Sequence, residues 1–129
     1  MPDKAVVCTE AAPAPFQGAP YNQAIRVGDL VFVAGQLALR PGETEMVGAS
    51  IQEQTEQVMA NLRAILEEAG SGLDRLVKTT VYLANLDDFQ AMNEVYARHV
   101  GDRPPARSTV EVAKLPSGAL VEIEAVALA

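Results

Sequence analysis

Pro104–Ala127, PPARSTVEVAKLPSGALVEIEAVA, decides how the rest of the chain is read. Two alternating runs, Arg107–Ala113 and Ala119–Ala127, flank Lys114-Leu115-Pro116-Ser117-Gly118. Alternation interrupted by Pro and Gly predicts a β-hairpin. Side chains alternate along a strand, so Ser108, Val110 and Val112 share one side while Arg107, Thr109 and Glu111 share the other. In the second run Val121, Ile123, Ala125 and Ala127 oppose Glu122 and Glu124. Burying both apolar sets together places Arg107, Thr109, Glu111, Glu122 and Glu124 on one common side, and a one-residue slip of register reverses that. This polar face is either a solvated surface with cross-strand charge pairs or an arginine and several carboxylates gathered for chemistry.

Outward from there, Asp102–Pro105 reads as a rigid loop, and before it comes a helix. Asp87 is its expected N-cap, Gln90 completes a capping-box pattern, and Phe89, Met92, Asn93, Tyr96 and Val100 form one stripe down to Gly101. Asn93 on that stripe serves either a helix-to-loop hydrogen bond or a pocket. Leu76–Leu83 reads as a strand with Val77, Thr79, Val81 and Leu83 on one side. Ser50-Ile51-Gln52-Glu53 is a second capping box. Behind it Ile51, Thr55, Val58, Met59, Leu62, Ile65, Leu66 and Ala69 keep helical spacing until Gly70 and Gly72 stop it. The opposite face, with Glu53, Glu56, Arg63 and Glu67, reads as solvated surface.

Arg40–Ala49 reads as loop. Gly28-Asp29 marks a two-residue hairpin between Gln23–Val27 and Leu30–Ala34. That strand ends at Gly35-Gln36, where the glycine allows either close approach of a ligand or a bulge. Ala5–Thr9 is a short first strand, and Pro13 and Pro15 keep Glu10–Gly18 out of a central strand. The order β, β-β, α, β, α, β-β predicts an α+β domain: one mixed sheet with two helices packed on one face. The other face, with Thr80 and Tyr82 and little charge, has no third helix to cover it, so a homo-oligomer is expected.

At 129 residues the chain is expected to be one domain, residues 1–129. A hydrophobic share of 49% with only 5% aromatics makes a core of Val, Leu, Ile and Ala. The net charge of −7 argues against nucleic acid as the main partner, because phosphate affinity needs clustered Lys and Arg. No stretch approaches the ~20 apolar residues of a membrane span, and the start carries no signal-peptide pattern. A cytoplasmic protein is expected. The single cysteine, Cys8, excludes an internal disulfide and a multi-cysteine zinc site. The single histidine, His99, argues against a His-based metal site or a Ser-His-Asp triad.

At Pro105-Ala106-Arg107-Ser108 and Val121-Glu122-Ile123-Glu124-Ala125 the chain resembles the RidA (YjgF/YER-type) family of enamine and imine deaminases. The resemblance extends over nearly the whole chain through Pro20-Tyr21, Ala34-Gly35-Gln36, Val77-Lys78-Thr79-Thr80-Val81, Asp88-Phe89 with Asn93, and Leu115-Pro116. It implies a chorismate-mutase-like fold, a homotrimer with clefts between subunits, and no metal or organic cofactor. It further implies hydrolysis of 2-iminobutanoate, 2-iminopropanoate and their enamine tautomers, released by pyridoxal-phosphate enzymes, to 2-keto acids and ammonia. By the same resemblance Arg107 holds the substrate carboxylate, Glu122 stands near the attacking water, and Gly35 offers its backbone. Tyr21 lines the cleft, and Thr109 and Asn93 support it. Ala34 replaces a frequent Ser and Thr109 a frequent Cys, which makes a thiol nucleophile untenable. The competing expectations are a non-catalytic trimer that binds small carboxylates and, more weakly, a ribonuclease or translation inhibitor.

Overall fold

The strand that carries Glu122 lies inside the sheet and is the last strand in chain order. In the computed structural model, which describes residues 3–129, the strands are β1 (Ala5–Val7), β2 (Ala24–Val27), β3 (Leu30–Gln36), β4 (Leu76–Leu83), β5 (Ala106–Glu111) and β6 (Val121–Leu128). The helices are α1 (Ile51–Glu68) and α2 (Phe89–Val100). The strands form one sheet in the order β1-β2-β3-β6-β4-β5, antiparallel throughout except for the parallel pair β4 and β5.

The expected terminal hairpin does not form. Helix α2 returns the chain to the starting end of β4, so β5 pairs parallel with β4, as a helical crossover dictates. The following loop then arches over the far end of β4, where Val112 N–H donates to Leu83 O at 3.0 Å and Ala84 N–H to Leu120 O at 3.0 Å. Strand β6 descends on the other side of β4, with Leu83 opposite Val121 and Val81 opposite Ile123. Alternation and a Pro-Gly loop look alike whether the second strand lies beside the first or one strand further on.

This changes the faces. Thr79, Val81 and Leu83 are buried against the helices, and their β5 partners Arg107, Thr109 and Glu111 therefore share the helix side. Glu122 and Glu124 pair with Tyr82 and Thr80 on the opposite, open side. The common polar side expected for all five residues is thus not present in one chain. Val110, expected in the core, is exposed on the open side of the edge strand. Val77 also departs from its expected side, because the β4–β6 register shifts between Leu76 and Lys78.

The helices follow the sequence closely. Ser50 Oγ accepts from Glu53 N–H at 3.1 Å and donates to Glu53 Oε1 at 3.0 Å, while Gly70 takes a φ of 82° just beyond α1. Asp87 is not the cap of α2: a 3-10 turn, Leu86–Asp88, precedes the helix, and Asn85 caps that turn by accepting from Asp87 N–H at 2.9 Å. Val58, Met59, Leu62, Ile65 and Leu66 of α1, Met92 of α2, and Val31, Val81, Val121 and Ile123 of the sheet make the closed core. No described helix is long and apolar enough to cross a membrane. The open sheet face carries Phe32, Thr80, Tyr82, Val110, Glu122 and Glu124, with Phe32 and Val110 more than 40% exposed.

Candidate active site

The candidate residues fall into two groups on opposite sides of the sheet. Tyr21, Gly35 and Glu122 share a cleft of about 310 Å³ with Phe16, Ala34, Leu37 and Pro116. The cleft exists because β3 bulges. Val33 pairs with Ala125 and Gln36 with Ile123, so Ala34 and Gly35 together span the place of Glu124 on β6. The bulge brings Gly35 against the Glu122 side chain. A Cβ at position 35 would collide with Glu122 Oε2 and lie 3.0 Å from its Cδ. Glycine leaves the Glu122 carboxylate room to lie against the backbone here; a larger residue would displace it.

Glu122 is half-buried, and burial first, then the Glu124 carboxylate, push its carboxyl above the usual range. Tyr21 is oriented from behind. Phe16 N–H donates to its phenol oxygen at 2.6 Å, which leaves the phenol's own proton free to be donated elsewhere. A carboxylate with raised proton affinity and a phenolic donor share one small cleft.

The second group lies at the edge strand. The Arg107 guanidinium rests on two rings of α2, 5.4 Å from the centroid of Phe89 and 4.9 Å from that of Tyr96, at cation–π distance. Among the described residues it makes no salt bridge. Its planar donors therefore remain available to a carboxylate. Tyr96 is itself fixed, its hydroxyl 2.6 Å from Thr79 Oγ1 in the core, and burial pushes its phenol up so that it stays neutral. Asn93 lies between the two rings in sequence, with Oδ1 buried and without a hydrogen-bond partner among the described residues. Thr109 follows Arg107 on the same side, opposite Val81.

Of the residues singled out in the sequence, Tyr21, Gly35 and Glu122 are brought together, and Arg107, Thr109 and Asn93 share the other side. The two sets do not meet within one chain. Sequence reasoning missed the ring platform, although Phe89 and Tyr96 stood on the expected stripe seven residues apart. It also missed Phe16, which sits in a Pro-rich loop with no periodic signal. Cys8 is exposed, and His99 lies between Arg63 at 3.3 Å and Glu56 at 3.1 Å on the helical surface. Among the described residues no cluster of His, Cys, Asp or Glu could hold a metal ion.

Fold and half-sites define a small α+β protein whose clefts suit a compact polar ligand. The family model described as endoribonuclease L-PSP matches residues 9–129, and the chain belongs to that family, which includes proteins called YjgF, RutC and RidA. A RutC family protein of Pyrococcus abyssi is 52% identical over 124 residues, covering 96% of each chain. Reactive Intermediate Deaminase A, chloroplastic, of Arabidopsis thaliana is 47% identical over 96% of this chain and 65% of its own length. The crystal structure of E. coli TdcF with bound serine matches with a TM-score of 0.89 at 35% identity, covering 97% of this chain and 98% of that one.

Proposed function

We propose that the chain, as one domain over residues 1–129, is a cofactor-independent deaminase that hydrolyses 2-imino acids and their enamine tautomers to 2-keto acids and ammonia as a homotrimer. The observation that carries this reading is the division of the site. Glu122 stands over the bare backbone of Gly35, while Arg107, without a salt bridge among the described residues, lies on the opposite side of the sheet. Arginine and carboxylate can serve one ligand when the edge strand of one copy meets the cleft of another. The uncovered sheet face offers the surface for that contact. The relative named as a reactive intermediate deaminase supports the activity.

The mechanism follows from the imine. Once its nitrogen is protonated, the imine carbon is electrophilic and needs orientation more than activation. Arg107 of one copy grips the carboxylate bidentately, and such positioning can remove several kcal/mol of barrier. Glu122 of the neighbouring copy takes a proton from water as the oxygen bonds to the carbon and the C=N electron pair moves to nitrogen. The proton then passes from Glu122 to the nitrogen. Ammonia departs as the C=O bond forms and Glu122 takes the hydroxyl proton, which the ammonia then carries away as ammonium, restoring the carboxylate. Tyr21 donates its phenolic hydrogen to the oxygen being added. Thr109, carrying a hydroxyl and no thiol, orients water.

A second reading is a binding module without turnover, favoured by the bound serine of the TdcF structure, since an amino acid is a small carboxylate with no imine to hydrolyse. The ribonuclease activity in the family model's description is the weaker reading, since a net charge of −7 opposes binding of a phosphate backbone. The deciding experiment generates 2-aminoacrylate or 2-iminobutanoate in place with a dehydratase and follows semicarbazone formation. A deaminase slows the trapping in proportion to added protein, and Arg107→Ala abolishes the slowing. No effect on either imine leaves the binding module.

A further inference from the structure

We propose that Phe16 selects the side chain of the ligand, by walling the Tyr21–Gly35–Glu122 cleft off from a second apolar chamber behind it; this rests on the placement of the ligand proposed above. Phe16 lines the cleft of about 310 Å³ and also a mostly apolar, partly open chamber of about 260 Å³ bounded by Pro13, Pro15, Leu39, Glu43, Thr44 and Ser117. A small space of about 20 Å³, lined by Phe16, Tyr21, Leu37 and Leu39, shares residues with both. Phe16 lines all three spaces.

Where the ligand's side chain goes follows by elimination. Arg107 takes the carboxylate, and the reacting carbon sits at Glu122. The walls that remain, Phe16, Leu37 and Pro116, are apolar. With the ring in place, that end of the cleft suits a methyl or ethyl group.

Phe16 is held more firmly than a loop residue ordinarily is. Its N–H donates to Tyr21 Oη at 2.6 Å, and its carbonyl accepts from Ala19 N–H at 3.0 Å. Its ring packs against the Leu37, Leu39, Leu115 and Ala119 cluster. The next residue, Gln17, has a φ of 53°, and across the chamber Ser117 has a φ of 52° in a turn of the same form, Pro116-Ser117-Gly118. Among the described residues these are the only two non-glycine residues in the left-handed region. Backbone of that kind persists where the surroundings over-determine it. Each turn lines both spaces, the first through Phe16 and the second through Pro116 and Ser117.

The test measures two quantities on wild type, Phe16→Ala and Phe16→Leu. The first is kcat/KM for 2-iminopropanoate against the benzyl-bearing imine made in place by an amino-acid oxidase. The second is calorimetric affinity for the matching keto acids, 2-oxopropanoate and 3-phenyl-2-oxopropanoate. The ratio of large to small ligand should rise roughly tenfold or more in Phe16→Ala and less in Phe16→Leu, since even one methylene of space can be worth that factor. Filling the chamber with Thr44→Trp in the Phe16→Ala background should bring the ratio back down. Circular dichroism checks folding, and Phe16→Leu, which keeps an apolar group on the leucine cluster, carries the test if Phe16→Ala does not fold. Unchanged ratios in folded variants, with wild-type turnover intact, overturn the selector alone. A shifted affinity ratio without turnover in wild type keeps the selector and overturns the deaminase.

Discussion

At the scale of single residues, the site depends on one missing side chain. Gly35→Ala drives the Glu122 carboxylate out of its half-buried position, because the added methyl occupies the space of Oε2. The carboxylate is the flexible end of its side chain, so the fold survives and the base moves toward water. A more hydrated carboxyl loses the burial that raises its proton affinity. If Glu122 is the proposed base it must be ionised to accept a proton, so the acidic limb of kcat/KM in wild type should lie above the ordinary carboxylate range, near ~4.3 for a free glutamate. In Gly35→Ala that limb should move to lower pH while the plateau falls roughly 10- to 100-fold. A pH–rate profile with a thermal melt checks both, and an unmoved limb would mean that Glu122 is not the group titrating. The glycine was legible from sequence as either a ligand approach or a bulge. The bulge is realised, and what it brings against the glycine is the Glu122 side chain of the same chain.

At the scale of elements, α2 reaches β4 and β5 through Tyr96, which serves two neighbours at once. Its hydroxyl meets Thr79 in the core, and its ring carries the Arg107 guanidinium. Tyr96→Phe should cost about 1–3 kcal/mol in urea unfolding, because Thr79 Oγ1 is left buried without its partner. Thr79→Val should cost a similar amount, whereas the double variant should cost less than the two together by about 1 kcal/mol or more. Turnover should survive Tyr96→Phe, since the ring beneath Arg107 remains. Strict additivity in the double-mutant cycle would show that the two hydroxyls are not coupled. The helices and the first hairpin were readable because their signals are local: the Ser50 box, the stop at Gly70, the Gly28-Asp29 turn. Asp87 misled because a 3-10 turn capped by Asn85 was spliced onto α2. The last two strands misled for a deeper reason. Their pairing is decided by β4, more than twenty residues upstream, and nothing in the Lys114–Gly118 loop records that it must step across another strand.

At the scale of the whole molecule, Arg107 and Glu122 were both identifiable as residues, but their relation was not, because it depends on which strand separates them. The resulting arrangement makes complementation the natural assay. Arg107→Ala and Glu122→Gln should each be inactive. Mixed through unfolding and joint refolding at equal amounts, they should recover up to roughly a quarter of wild-type activity, because random assembly restores both native halves at that fraction of heterologous clefts. Mixing without exchange of copies should recover none. Refolded mixtures that stay inactive while forming mixed oligomers would place both halves of the site in one copy.

Strand β6 lies between β3 and β4, yet it is synthesised after every other described strand. Until residues 121–128 emerge, the nascent chain can hold only two separate sheet fragments, β1-β2-β3 and β4-β5, each with an open edge that invites pairing with other chains. Closure of the core and delivery of Glu122 are therefore the same event in biosynthesis. A chain stalled short of Val121 lacks Glu122 and leaves two unpaired sheet edges exposed to other chains.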